Sequence, residues 1–393
     1  MKPLQGVRIL AVEQFGAGPY GSLFLANLGA EVIKIENPAT NGDAARNGGP
    51  FLLGENDSLY FQSWNTDKKS VTLDLKSADG HRDFEKLVKT ADAVFENMRG
   101  DQAAKLGLDY PTLSKINPRI VCAHISAYGR TGDRAKRPGY DFLMQAEAGL
   151  MSLTGDPDNP PARSGPSLID FMCGMTLDVG LLACLLRAQK TGIGCDVDTS
   201  LFEVAVHQLS YSATWYLNEN YAVCRLPRSS HFSATPVQTF RAADGWIFVM
   251  CMTQRFWELL VGALKMPELA ADPRFVTMAV RGQNRGALTD LLDAKFETQT
   301  MAYWVDLLGS IVPIGPVYDI RQALDNPFLK EIGMIQTVPH PVKADMRLLA
   351  NPLRIDGERL SLSTGSALGA DNSELLDRPP ETRRTSGARK GTV

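Results

Sequence analysis

A carboxylate set among apolar neighbours is costly to bury unless it has a partner or a task, and Asp170 stands in such a run, Leu168-Ile169-Asp170-Phe171-Met172. A carboxylate in that setting has the chemistry of a nucleophile or a base. It also has the makings of a plain helix cap. Gly174 to Ala188 reads as a largely buried helix closed by Thr191-Gly192-Ile193-Gly194, and Asp170 lies near its start. The segment by itself leaves both readings open.

A second motif is Gly16-Ala17-Gly18-Pro19-Tyr20-Gly21, a G-x-G-x-x-G that follows an apolar run and opens a helix. Glu36 lies 20 residues after Gly16, so the dinucleotide fingerprint is complete with its ribose acid. An NAD-dependent oxidoreductase is one reading of it. Pro19 weighs against that, because it removes an N–H from the first helical turn, where a pyrophosphate would need it. No residue set for hydride chemistry accompanies the motif. The other reading is a tight strand-to-helix turn that brings backbone close to another group. Lys68, Lys69 and Lys76 form a basic run that alone reads as a solvated face. The five histidines have no metal-ligand spacing, so no metal site is expected.

The elements that must carry these residues alternate. Val7–Val12 is the first strand, Tyr20–Leu28 a helix and Glu31–Glu36 the second strand. Further strands are expected at Ser70–Leu75, Ala93–Glu96 and Ile120–Ile125, with helices over Ser77–Thr90 and Tyr110–Ile116. Strands separated by helices argue an α/β fold with a parallel sheet covered on both faces. A long helical stretch runs from Ser200 towards Leu217, and Arg225-Leu226-Pro227-Arg228-Ser229-Ser230 reads as a linker. Thr239–Met250 reads as a hairpin with an Asp244-Gly245 turn, starting a smaller α+β domain.

With 393 residues the chain exceeds what one core of about 250–300 residues supports, so more than one domain is expected. Against 44 acidic residues stand 41 basic ones, a net charge of −3, which gives no nucleic-acid or membrane signal. No stretch reaches the about 20 apolar residues of a membrane span, Asp178 interrupting the helix after Asp170. The first residues enter a strand pattern without a signal-peptide apolar region. Six cysteines without C-x-x-C spacing read as reduced, and a cytoplasmic location is expected.

Several segments together resemble the class III CoA-transferase family, which includes formyl-CoA transferase and carnitine CoA-transferase. They are Ala17-Gly18-Pro19 with Leu28–Glu36, Asn65–Lys76, Glu96-Asn97 with Leu106-Gly107, and Pro138-Gly139-Tyr140-Asp141 with Gln145-Ala146. Leu168-Ile169-Asp170, Thr191–Gly194, Asp244-Gly245, Asp272–Phe275 and Ala367–Asp371 extend the resemblance over nearly the whole chain. It implies a Rossmann-like large domain with a parallel sheet plus a smaller α+β domain, in an interlocked homodimer. The boundaries expected are 1–200 for the N-terminal part of the large domain, 201–229 for a helix and linker and 230–320 for the small domain. The chain then returns to the large domain over 321–376 and ends in a flexible tail, 377–393.

The resemblance makes Asp170 the nucleophile, exchanging CoA between an acyl-CoA and a carboxylic acid through an aspartyl anhydride and an aspartyl-CoA thioester. CoA is then a substrate and no cofactor is expected. Gly16 and Ala17 become oxyanion donors through their N–H groups. Leu73, Lys76, Asn97, Lys105 and Tyr128 are assigned to CoA, and Tyr140 to the substrate pocket. Formyl-CoA transferase has Gln where this chain has Gly16, Arg for Asn37 and Lys for Ser126, and its Gly-rich flap corresponds to Ser229–Ala234. Those departures weigh against formate or oxalate as the acyl group. Arg46 and Arg163 are candidates for pairing a second carboxylate, which suits a dicarboxylic acid. The alternative of the same fold is a 2-methylacyl-CoA racemase. The position of its histidine base is Tyr140 here, and a phenol, which ordinarily titrates at about pH 10, is a poor base at neutral pH.

Overall fold

Short runs rich in Val, Ile and Ala alternate with amphipathic stretches along the first 200 residues, a pattern that suits strands buried on both faces between helices. The computed structural model of the chain describes residues 2–377, and a six-stranded sheet forms within the first 200. Its strands are β1 (Arg8–Val12), β2 (Glu31–Glu36), β3 (Lys69–Thr72), β4 (Ala93–Glu96), β5 (Val121–Ser126) and β6 (Cys195–Ser200). The sheet order is β3-β2-β1-β4-β5-β6, with every neighbouring pair parallel. The order reverses between β1 and β4, so the loops leaving the carboxyl ends of those strands open a crevice.

The accompanying helices are α1 (Ala17–Asn27), α2 (Leu59–Asn65), α3 (Ala78–Val88), α4 (Gln102–Lys105) and α5 (Tyr110–Leu113). After β5 come α6 (Asp141–Glu147) and α7 (Leu168–Thr191), and after β6 comes α8 (Leu201–His207). Leu10, Ile33, Val71, Phe84, Val94 and Cys122 form one continuous apolar core between sheet and helices. The expected strand over Ser70–Leu75 ends at Thr72, because the chain turns at Asp74–Ser77 and Ser77 caps α3, its Oγ accepting from Gly80 N at 3.0 Å. The helix expected over Tyr110–Ile116 is one turn, Tyr110–Leu113.

Helix α7 has 24 residues and is, by length and composition, apolar enough to cross a membrane, which corrects the sequence expectation. Asp170 and Asp178 among six leucines and other apolar residues do not lower the average enough to break the run.

The chain divides into two units. One comprises Met1–Ala148, Gly165–Gln208 and the chain from Phe328; the other comprises Gly149–Ser164 and Leu209–Pro327. Gly149–Ser164, read in the sequence as large-domain chain, thus groups with the second unit, and the return begins at Phe328 rather than 321. The helical stretch from Ser200 is two helices, α8 and α9 (Ser210–Glu219), parted where Ser210 takes a left-handed φ of 49°.

The second unit holds an antiparallel sheet of β7 (Val237–Ala242), β8 (Gly245–Met250) and β9 (Ile314–Pro316). Its core is built on Phe240, Trp257, Phe275, Phe296 and Trp304. The hairpin loop is Ala243-Asp244, one residue before the expected pair, and Gly245 sits in the strand opposite Ala242. A side chain at Gly245 would meet the Met301 sulfur at 2.7 Å.

In the first unit the C-terminal chain closes the open edge of β3. Ser70 N donates to Asp371 at 2.8 Å, Thr72 N to Asn372 Oδ1 at 2.9 Å, and Asp67 N to the Ser363 carbonyl at 3.0 Å. The tail expected over 377–393 lies, from residue 378 on, outside the described residues.

Candidate active site

The turn between β1 and α1 is drawn tight by its neighbours. Asn97, just beyond β4, clamps Gln14 twice: its Oδ1 accepts from Gln14 N at 2.9 Å and its Nδ2 donates to Gln14 O at 2.8 Å. Phe15 N donates to Asp43 Oδ1 at 3.1 Å, and Phe15 adopts a φ of 56°, strained for a bulky residue. Each glycine of the G-x-G-x-x-G is then accounted for by close approach. A Cβ on Gly16 would collide with the Asp170 carboxylate, one on Gly18 would lie 2.8 Å from Asn97 Cγ, and one on Gly21 would lie 3.0 Å from the Gly174 carbonyl oxygen in α7. Glu36, the supposed ribose acid, is buried and engaged by Arg46 at 2.6 and 2.8 Å and by Ser70 Oγ at 2.6 Å.

Asp170 is the third residue of α7, not its cap. The cap position is Ser167, whose side chain makes no capping bond. The capping is done by Asp141, from the start of α6: its Oδ2 accepts from Ile169 N at 2.6 Å and from Asp170 N at 3.0 Å, while its Oδ1 accepts from Gln145 Nε2 at 2.6 Å. The Asp170 carboxylate itself accepts no hydrogen bond among the described residues. Burial first, and the negative charge of Asp141 second, push its pKa up to about 7. Phe171 beside it stacks on Tyr20 at 4.4 Å between ring centres and meets Trp64 edge-on at 6.0 Å, so one flank is aromatic. A half-buried carboxylate with no hydrogen-bond donor is poorly solvated and correspondingly nucleophilic when ionised.

A cavity of about 390 Å³ opens on Asp170. Of the residues singled out from sequence, Gly16, Ala17, Asn97 and Tyr140 line it with Asp170. Lys76 lines a neighbouring cavity of about 320 Å³ that shares Gln14, Asn97 and Met98 with the first. Three assigned residues lie in neither. Leu73 is buried in the core, Lys105 pairs with Asp101, and the Tyr128 hydroxyl donates to Glu147 at 2.7 Å. Arg46 is not available to a substrate, because it is fully buried and forked onto Glu36, with further bonds to the carbonyls of Asn56 and Ser366. Arg163 lies in the second unit and donates to the Ser164 carbonyl at 2.8 Å. Lys68 is no solvated residue either; it is buried and paired with Glu13.

Sequence reasoning missed Asp141, which lies within a quoted motif but meets its partners 28 and 29 residues away. It also missed Arg99 and Arg137, which line the Asp170 cavity.

A family model described as CoA-transferase family III matches residues 4–372. The chain is 34% identical over 342 residues to a succinyl-CoA:glutarate CoA-transferase of Mus musculus, covering 87% of this chain and 78% of that one. It is 33% identical over 358 residues to an acetyl-CoA:oxalate CoA-transferase of Acetobacter aceti, covering 90% of each. Among solved structures, a CAIB/BAIF family protein from Brucella suis superposes with a TM-score of 0.82 at 32% identity, over 95% of this chain and 98% of that one. A Mycobacterium tuberculosis protein does so with a TM-score of 0.84 at 30% identity, over 96% and 99%. The dinucleotide reading of the glycine turn is overturned by these matches, as it is by the packing of its glycines. What the unsolvated aspartate and its glycine neighbour suggest, the whole-length match settles at the level of family: the chain belongs to CoA-transferase family III and is an enzyme of that class.

Proposed function

We propose that the enzyme transfers CoA between an acyl-CoA and a carboxylic acid through covalent intermediates on Asp170, with a dicarboxylic acid among its substrates. A carboxylate oxygen of Asp170 attacks the thioester carbonyl. The C–S bond breaks, and a mixed anhydride and CoA thiolate result. The thiolate then attacks the aspartyl carbonyl, displacing the first acid and leaving an aspartyl-CoA thioester. The incoming acid repeats the two steps in reverse, so no redox partner or external energy source is needed. The N–H groups of Gly16 and Ala17, at the start of α1 where no intrahelical acceptor exists, stabilise the oxyanions.

The observation that carries this reading is the Asp170 carboxylate itself: facing a 390 Å³ cavity, without a hydrogen-bond donor among the described residues and abutting Gly16. The dicarboxylate preference is supported by relatives whose names specify glutarate, oxalate and mesaconate. Exclusion of water, which an anhydride requires, is supported by the aromatic flank of Tyr20, Trp64 and Phe171. CoA extends towards the cavity of Lys76, whose ammonium suits a phosphate. The enzyme works as an interlocked homodimer. Support for that is α7, which leaves Val179 70% and Leu186 59% exposed on an otherwise apolar helix.

Mixing the protein with succinyl-CoA and hydroxylamine, then mapping peptides by mass spectrometry, tests the chemistry. A hydroxamate on Asp170 is expected, and none in Asp170→Asn. Turnover of succinyl-CoA with glutarate in the absence of any trapped carboxyl would refute the covalent route.

A further inference from the structure

Beneath the Glu13–Pro19 turn lies a set of buried charges that the proposed chemistry does not use. Lys68, at 3% exposure, gives all three ammonium protons to fixed acceptors: Glu13 Oε1 at 2.8 Å, the Pro19 carbonyl at 2.9 Å and Asn65 Oδ1 at 3.1 Å. Glu13 Oε1 also accepts from Ser22 Oγ at 2.7 Å. Lys34 donates to the Glu13 carbonyl at 3.1 Å and pairs with Asp43 Oδ2 at 2.8 Å. Asp43 in turn holds Phe15 N. The two lysines therefore grip the turn on both sides of its strained residue: the carbonyl of Glu13 before it, the carbonyl of Pro19 after it, and the Phe15 amide through Asp43.

That arrangement is not explained by stability. Burial of the Lys68 ammonium outweighs the attraction of Glu13 and brings its pKa down to about 8, so the folded chain carries this charge against its tendency to shed the proton. Apolar residues of similar volume serve a core as well as a buried ion pair or better. What an ion pair supplies and a methylene does not is direction. Here the direction is towards one turn, Lys68 donating to the Pro19 carbonyl and Lys34 to the Glu13 carbonyl.

We propose that Lys68 is a positioning residue for the chemistry at Asp170, holding the Glu13–Pro19 turn in the conformation that sets Gly16 against the carboxylate. The inference rests on the reading of Asp170 as the nucleophile. Lys68 touches no substrate; it acts through Pro19 and Glu13 on the backbone that lines the cavity. The charged and titratable groups facing it are Glu13 from the turn, Lys34 from β2, Asp43 from the loop after β2, and Asp178 from α7. Burial pushes the Asp178 carboxyl well above the usual carboxylate range. Loss of the Lys68 proton in mild alkali therefore loosens the turn.

The test compares wild type with the paired variant Lys68→Met, Glu13→Gln, which removes both charges and leaves no buried ion alone. In the variant kcat is expected to fall about tenfold or more, as for small displacements of a reacting group, with KM for the acyl-CoA within about threefold. Amide hydrogen exchange is expected to speed up over residues 14–18 and to stay unchanged elsewhere. A kcat within twofold of wild type, or faster exchange spread over the whole unit, would overturn the proposal. If the variant does not fold, the wild-type kcat profile decides: a fall through about pH 8 supports the role, and a plateau running well above that pH removes it. The exchange readout needs no turnover, so it separates failure of this inference from failure of the aspartyl chemistry, which the hydroxamate reports.

Discussion

At the scale of single residues, Asp170 is defined by what it lacks. It sits in the first turn of α7, where the helix dipole favours an anion, yet burial and the neighbouring Asp141 charge carry its pKa up to about 7. Asp141 plays two opposed parts, capping the helix that bears the nucleophile and repelling the nucleophile's charge. Asp141→Asn separates them, because the amide oxygen still accepts from the α7 amides while the charge is gone. A like charge raises a carboxyl pKa, so its removal lowers it. The acid limb of kcat/KM, expected near pH 7 in wild type, is therefore expected to move to lower pH in Asp141→Asn. A limb that stays in place would mean that burial alone sets the Asp170 pKa. Asp170 was legible in the sequence because an acid within an apolar run is a local signal. Asp141 was not, because capping across 28 residues leaves no trace in either segment.

At the scale of elements, strands β4, β5 and β6 are tied by one side chain. His124 in β5 is buried with its Nδ1 2.7 Å from Glu96 Oε1 and its Nε2 2.8 Å from Asp196 Oδ1. Burial works to lower its pKa, but the bonds to Asp196 and Glu96 win, so the value is raised. A histidine that holds its proton more tightly folded than unfolded stabilises fully below the unfolded pKa of about 6.5, and that stability is lost as pH rises through the folded value. The resistance of wild type to urea is expected to fall above about pH 6.5, and to fall less steeply in His124→Gln. An unchanged slope in the variant would acquit the histidine. Strands β1 to β5 were readable because apolar runs between helical stretches are distinctive, whereas β6, Cys195-Asp196-Val197-Asp198-Thr199-Ser200, went unread because it alternates acids with small residues and is only partly buried. The single turn at Tyr110–Leu113 and the break at Ser210, where φ is 49°, were not readable, since the local pattern continues through both.

At the scale of the molecule, the segment Gly149–Ser164 passes into the second unit and back before α7 begins. Its glycines and prolines read as a loop of the first unit because loop composition carries no address. In the proposed homodimer, the exposed Val179 and Leu186 of α7 form part of the seam. Val179→Glu with Leu186→Glu is expected to turn a dimer into a monomer by sedimentation, with the fold's circular dichroism retained. A dimer that survives both changes would mean that this face is covered by something other than a second copy.

The edge of the parallel sheet has a consequence for how the protein is made. The groups that satisfy β3 come from residues 300 and 301 positions further along the chain. A ribosome releasing this protein exposes β3 long before Asp371 and Asn372 emerge, and through that interval the strand is an open template for wrong partners. The antiparallel unit, encoded mostly in between, is free to finish first. The unit begun first is completed last, and its edge strand stays open until synthesis is nearly done.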